Sequence, residues 1–129
     1  MYSLIIQNGN HHWKKEDGFS VFYHRKNNLP AFLSDNGYRE WSVNGKRHRI
    51  DGPAVVYGDK QYWFVDGKLH RDNDLPAITH PDGKKEYWEN GLKYTIVEQS
   101  NGTKEYWIWT AFLSDNGYRE FACYFLFRW

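Results

Sequence analysis

The stretch Trp41-Ser-Val-Asn-Gly-Lys-Arg-His-Arg-Ile-Asp-Gly-Pro-Ala-Val-Val-Tyr57 decides the fold. It reads as the end of one strand, a tight turn, a polar crossing and the start of the next strand. Asn44-Gly45 accepts the left-handed backbone angles that a two-residue hairpin turn needs. Pro53 cannot donate to a strand ladder and suits the entry to a strand. The pattern recurs on both sides. Asp66-Gly-Lys-Leu-His-Arg71 leads to Leu75-Pro76-Ala77, and His24-Arg25 leads to Leu29-Pro30-Ala31. Pro30, Pro53 and Pro76 are spaced by 23 residues each time. A fixed period of this size is the mark of a repeat architecture.

Outward from this stretch, turns and strand formers alternate along the whole chain. Ten of the eleven glycines follow Asn or Asp, Gly58 being the exception. The runs between them are rich in Val, Ile, Tyr, Trp and Phe, which favour strands. No stretch sustains a helical period. These signals predict an all-β fold of consecutive antiparallel hairpins forming an elongated, twisted single sheet. One repeat domain is expected over residues 1–129. Residues 1–23 form an N-terminal cap, with strands at 4–6 and 19–23 and His11-His12 in a polar loop between them. Residues 24–93 form three hairpin repeats. Residues 94–129 form a degenerate repeat, lacking the His-Arg and Pro-Ala elements, and an apolar C-terminal strand.

On the return strands, Trp41, Trp63, Trp88, Trp107 and Phe121 line up in one row. A strand period of two puts such a row on one face and Tyr62, Tyr87 and Tyr106 on the other. The Trp row reads as packing. The Tyr row is a candidate binding surface.

The tail departs from the pattern. Residues 111–120 repeat residues 31–40 letter for letter, while the other repeats share only a pattern. A recent duplication or recombination is the hypothesis this suggests. The second copy runs on into Phe-Ala-Cys-Tyr-Phe-Leu-Phe-Arg-Trp129, which is almost wholly apolar. Such a strand is expected to be buried or to bind another chain. Tyr124, Phe125, Phe127 and Trp129 are therefore candidate contact residues.

Composition narrows the function classes. Of 129 residues, 40% are hydrophobic and 19% aromatic, so burial is expected to come from large rings. Seventeen basic against sixteen acidic residues give no general pull toward nucleic acid or an anionic membrane. The single cysteine, Cys123, allows no internal disulfide framework and no thiolate zinc cluster. The apolar run at 4–6 is too short for a signal peptide or a span, so a cytoplasmic protein is expected, in the host cytoplasm if viral.

The run from Glu40 to Tyr57 resembles a MORN repeat, in the His-Arg-x-x-Gly-Pro-Ala variant seen in phage and large DNA virus proteins. Residues 66–77 match the variant with Leu75 in place of Gly, and residues 24–31 match it without the preceding Asn-Gly-Lys. The resemblance covers residues 24–93 well and 94–121 weakly. It implies an elongated stack of hairpins that serves as an interaction surface, some relatives contacting proteins and some linked to lipids. It does not by itself settle function.

The recurring polar set is His24-Arg25, His48-Arg49 and His70-Arg71. Stacked at the repeat spacing, it could form a basic ladder for phosphate or acidic partners. Because the pairs accompany the turn and the Pro-Ala start each time, the structural reading is favoured: each His ties a crossing to a backbone carbonyl, with Arg paired to Asp51 or Asp72. His48, Arg49, His70 and Arg71 stand as candidate binding residues beside Tyr62, Tyr87 and Tyr106. Enzymatic constellations are missing. The glycines lie one per turn rather than in a phosphate loop, Cys123 sits in an apolar run, and Glu86, Glu105 and Glu120 read as solvated repeat equivalents. A single-layer sheet is expected to offer no cleft for paired carboxylates. The expectation is a non-enzymatic protein-interaction module with no cofactor. Its partner would be a protein, for a phage or viral accessory protein a host antiviral-defence factor, or a second copy through residues 121–129. The alternative is nucleic-acid or small-ligand binding on an aromatic and basic sheet face; membrane binding is not expected.

Overall fold

The computed structural model describes the backbone of residues 1–113 and 119–126 and the side chains of residues 1–108. All regular structure among them is β-strand. The chain divides into two compact units, Met1–Gly91 and Leu92–Trp129.

The first unit is an open antiparallel sheet built from hairpins. Strands β1 (Tyr2–Gln7) and β2 (Asn10–Glu16) form the first, and β3 (Val21–Tyr23) also pairs with β2. Then come β4 (Phe32–Leu33) with β5 (Arg39–Glu40), β8 (Val55–Tyr57) with β9 (Lys60–Tyr62), and β12 (Ile78–Thr79) with β13 (Lys85–Glu89). Strand order follows the chain, β1-β2-β4-β5-β8-β9-β12-β13, and β1 does not pair back to β13. The omitted strands make two small ribbons, β6 (Ser42–Val43) with β7 (Lys46–Arg47) and β10 (Phe64–Val65) with β11 (Lys68–Leu69). Each return strand thus breaks at Trp41 or Trp63, where the chain leaves the main sheet to close around the Asn44-Gly45 or Asp66-Gly67 turn. The sequence pattern alone implies one unbroken return strand at each of these places.

Turn chemistry explains these ends. Asn8-Gly9, Asn44-Gly45, Asp66-Gly67 and Asn90-Gly91 all have positive φ at both positions, as a two-residue turn of the right twist requires. Three other turns are longer. Ser34 N–H reaches Tyr38 O at 3.0 Å, His80 reaches Lys84 at 2.9 Å and Gln99 reaches Thr103 at 2.7 Å, with Gly37, Gly83 and Gly102 left-handed in the middle. The small-ribbon turns also stack on one another. The amides of Gly45, Gly67 and Gly91 donate to the carbonyls of Tyr23, Arg47 and Leu69 at 2.8–2.9 Å.

The 23-residue period hides a compensation. The hairpin from Ala54 to Trp63 is one residue shorter than those from Ala31 to Trp41 and from Ala77 to Tyr87. The crossing from Arg71 to Pro76 is one residue longer than that from Arg49 to Pro53. The two differences cancel.

Register sorts the residues onto two faces. One row runs Ile5, His12, Phe32, Glu40, Val55, Tyr62, Ile78, Glu86, each directly opposite the next. The opposite face carries Trp13, Trp41, Trp63 and Tyr87, alternating across the sheet with Ala31, Ala54 and Ala77. The amides of Trp13, Trp41 and Trp63 donate to the carbonyls of those alanines at 2.7–2.8 Å. Each alanine is fully buried, because only a small side chain fits between successive rings.

This corrects the expected ladder. Tyr87, not Trp88, occupies the Trp row, and Trp13 belongs to it. Tyr62 and Tyr87 therefore lie on opposite faces. His11 and His12 are also not loop residues. They sit in strand β2, on opposite faces, inside a run too polar to read as a strand.

In the second unit, β14 (Leu92–Glu98), β15 (Lys104–Leu113) and β16 (Arg119–Leu126) form an antiparallel meander. The fourth hairpin expected over residues 94–109 is present. Tyr94 is buried and meets the Tyr106 ring edge-on at 6.1 Å.

Candidate functional site

The repeated polar set builds the frame of the molecule. In each repeat the His backbone N–H returns to a row aromatic, His24 to Trp13, His48 to Trp41 and His70 to Trp63, each at 3.1 Å. Each imidazole Nδ1 then accepts a backbone N–H of the next small turn. The donors are Asn44 at 2.9 Å, Asp66 at 3.0 Å and Asn90 at 3.0 Å. Accepting at Nδ1 places the neutral ring's proton on Nε2. In His70 that atom meets Asp72 at 2.8 Å. The three arginines are equally engaged. Arg25, Arg49 and Arg71 lie over the Trp13, Trp41 and Trp63 rings at 3.7–3.9 Å. Their Nη1 groups donate to the carbonyls of Pro30, Pro53 and Pro76 at 3.1 Å. Burial lowers all three guanidinium pKa values from the ordinary arginine range. Burial, followed by the charges of Lys15 and Lys26, lowers His24.

His48, Arg49, His70 and Arg71 thus hold crossings to turns, although the imidazoles accept amides rather than donating to carbonyls. Arg49 also contacts Asp51, with Nε to Oδ1 at 3.8 Å, whereas Asp72 meets His70. Open clefts of about 530 and 270 Å³ lie along these crossings, one beside Arg49 and Trp41 and one beside Arg71 and Trp63, so the expected lack of clefts does not hold.

The other face carries a different arrangement. Tyr23, Phe32, Tyr38 and Tyr57 come from four separate segments and lie side by side. Successive ring centroids are 6.2, 5.7 and 6.3 Å apart. His12 joins this belt, its Nδ1 2.8 Å from the Tyr23 hydroxyl and its ring 4.9 Å from Phe32. Register places Tyr62 on the same face, and Phe64 lies 6.5 Å from it. Tyr38 lines both an open groove of about 550 Å³ bordered by Tyr23 and Tyr57 and a smaller one of about 310 Å³ bordered by Tyr62 and Phe64.

Glu40 anchors the belt from beneath. It accepts from the Tyr38 hydroxyl at 2.8 Å and from Ser42 Oγ at 3.2 Å, and pairs with Arg47 at 3.1 Å. Burial, the hydrogen bond to Glu40 and the Glu40 charge together push the Tyr38 phenol up to about 12. Burial first, then Glu40, also raises Tyr23. Both phenols stay protonated donors at neutral pH. Glu86 is not the solvated carboxylate expected; its side chain is 15% exposed and meets His80 at 2.5 Å. Among the described residues, no cluster of three His, Cys, Asp or Glu could hold a metal ion.

Of the sequence candidates, Tyr62 belongs to the belt. Tyr87 faces the other way, and Tyr106 lies in the second unit. Tyr124 and Phe125 lie in β16, and their side chains, with Phe127 and Trp129 entirely, fall outside the described residues. No repeat pattern marks Tyr23, Phe32, Tyr38 and Tyr57 in the sequence, because they occupy unlike positions in successive hairpins. No helix among the described residues is long and apolar enough to cross a membrane. No protein-family model, curated protein or solved structure matches this chain.

Proposed function

We propose that this chain is a non-enzymatic interaction module that engages a protein partner through the aromatic belt. One observation supports the reading above the rest. Five rings, Tyr23, Phe32, Tyr38, Tyr57 and Tyr62, share a sheet face, Phe64 of the adjoining ribbon lies beside Tyr62, and none of the six is fully buried. Half-buried Tyr and Phe side chains supply large contact area, with a polar tip on each Tyr, the composition that protein interfaces favour. Cations already lie over three of these rings, Lys14 at 5.3 Å from Tyr23, Lys60 at 5.2 Å from Tyr62 and Arg47 at 5.4 Å from Phe64. Those cations compete with bases for the ring faces, which favours a protein partner over a single-stranded nucleic acid. The likeness of the Gly52-Pro53-Ala54 crossing to the repeat of phage and large DNA virus proteins supports a viral accessory role, with a host defence protein as the partner class.

The test compares affinity capture from host extract by the parent and by Tyr57→Ala/Tyr62→Ala, with thermal melts to check folding. The expected result is one partner retained at high salt by the parent and lost from the double variant. Equal capture by both proteins would remove the belt from the reading. Binding of single-stranded DNA that falls steeply with salt would replace a protein partner by nucleic acid.

A further inference from the structure

Strand β1 is an edge without the devices that normally protect one. Among the described residues it pairs with β2 alone. All six of its residues, Tyr-Ser-Leu-Ile-Ile-Gln, are exposed. Leu4 is 49% and Ile6 60% exposed. The strand carries no charge, no proline, no glycine and no bulge, which are the features that blunt natural edges.

Hydrogen bonding fixes which backbone groups that edge presents. Met1 and Glu16 exchange both bonds, at 2.9 and 3.1 Å. Antiparallel pairs alternate between bonded and non-bonded, so Ser3–Lys14, Ile5–His12 and Gln7–Asn10 are bonded and the pairs between them are not. A second observation agrees. Leu4 lies opposite Trp13, whose amide is committed to Ala31 at 2.8 Å and whose carbonyl accepts from His24 at 3.1 Å, both away from β1. The N–H and C=O groups of Tyr2, Leu4 and Ile6 therefore point outward.

These three residues are spaced two apart and centred on Leu4. An antiparallel copy of the same strand, turned about a two-fold axis at Leu4, sets Leu4 opposite Leu4 and Tyr2 opposite Ile6 twice. Every outward donor then meets an outward acceptor. With no charged side chain in the strand, no like charges oppose across the axis. The pairing is isologous and closes at two copies.

We propose that β1 is a dimerisation strand, joining two copies of this chain edge to edge in that register. The test is sedimentation equilibrium over a concentration series. The parent is expected to pass from monomer to dimer. Leu4→Lys sets two like charges at the axis and is expected to raise the dissociation constant by more than about tenfold. Leu4→Pro removes an outward N–H and leaves the β1–β2 bonds, so it is expected to be a folded monomer. In a Cys123→Ser background, Leu4→Cys is expected to cross-link on mild oxidation, and Ser3→Cys, on the other face and away from the axis, is not. A parent that stays monomeric overturns the proposal, as does a dimer indifferent to Leu4→Lys, which would place self-association elsewhere in the chain. An open ladder of masses also overturns it, since only a head-to-tail contact grows without closing.

Discussion

The two faces of the sheet are made by the same strands and obey different rules. On the tryptophan face, like meets like at every repeat. Trp13, Trp41 and Trp63 each carry an arginine at nearly the same height, and each is separated from the next by a fully buried alanine. On the tyrosine face the repetition is partial: Phe32, Val55 and Ile78 are all apolar and Glu40 recurs as Glu86, but Tyr62 stands between those two, and Tyr38 and Tyr57 occupy positions where the other hairpins carry Lys60 and Lys84 or Ser34 and His80. Periodicity within one chain marks the parts that every repeat needs for folding. Its loss on one face marks where residues are free to serve something else. That contrast assigns the His-Arg pairs to the frame and is the ground for proposing the aromatic belt as the recognition surface.

Three measurements test the contrast, beginning with the largest effect. Trp41 is 7% exposed, gives its indole N–H to Asn28 O at 3.0 Å and lies beneath Arg49. Trp41→Ala should cost about 3–5 kcal/mol in denaturant unfolding, whereas Tyr57→Ala, at a half-exposed ring, should cost no more than about 0.5 kcal/mol. Equal costs would erase the division between frame and surface. Next, Arg49→Lys keeps the charge but loses the stacked, forked donor that also reaches Asn28 at 2.9 Å. A loss of about 1–2 kcal/mol is expected; an unchanged midpoint would mean that charge alone is needed there.

The smallest effect concerns pH. His24 is 7% exposed, and its pKa in the fold lies below the ordinary 6.5. The unfolded chain therefore binds a proton before the folded one does. The stabilising contribution is complete above pH 6.5 and is lost as pH falls from there through the lower folded value. Melting temperature should drop on that acid limb, and His24→Asn should flatten the part due to this residue. A slope unchanged by the substitution would shift the effect to other groups.

Much of the frame was legible in the sequence. Asn-Gly and Asp-Gly gave the turns, and Pro30, Pro53 and Pro76 gave the period. What misled was the dipeptide Tyr-Trp, which occurs at 62–63 and again at 87–88. The letters match but the phase differs by one. Counting back three from the turn gives Trp41, Trp63 and Tyr87, the true row. Strand β2 escaped notice because Asn10–Glu16 is almost wholly polar, its pairing settled by partners on both sides rather than by its own pattern. The belt escaped for a further reason. Tyr23, Phe32, Tyr38 and Tyr57 become neighbours only once four segments are in register, and no local spacing encodes that.

The cancelled length differences between hairpin and crossing have a bearing on how such a chain can change. Pro30, Pro53 and Pro76 stay 23 residues apart, yet the row rings do not: crossing and hairpin are both one residue shorter between Trp41 and Trp63 than between Trp63 and Tyr87, so the intervals are 22 and 24 residues. What the architecture holds constant is the face on which each row ring lands, not the length of any loop. Insertions and deletions in turns and crossings should therefore be acceptable wherever the next strand re-enters in register, and damaging where a one-residue slip turns its ring to the other face, as a reading frame is kept or lost.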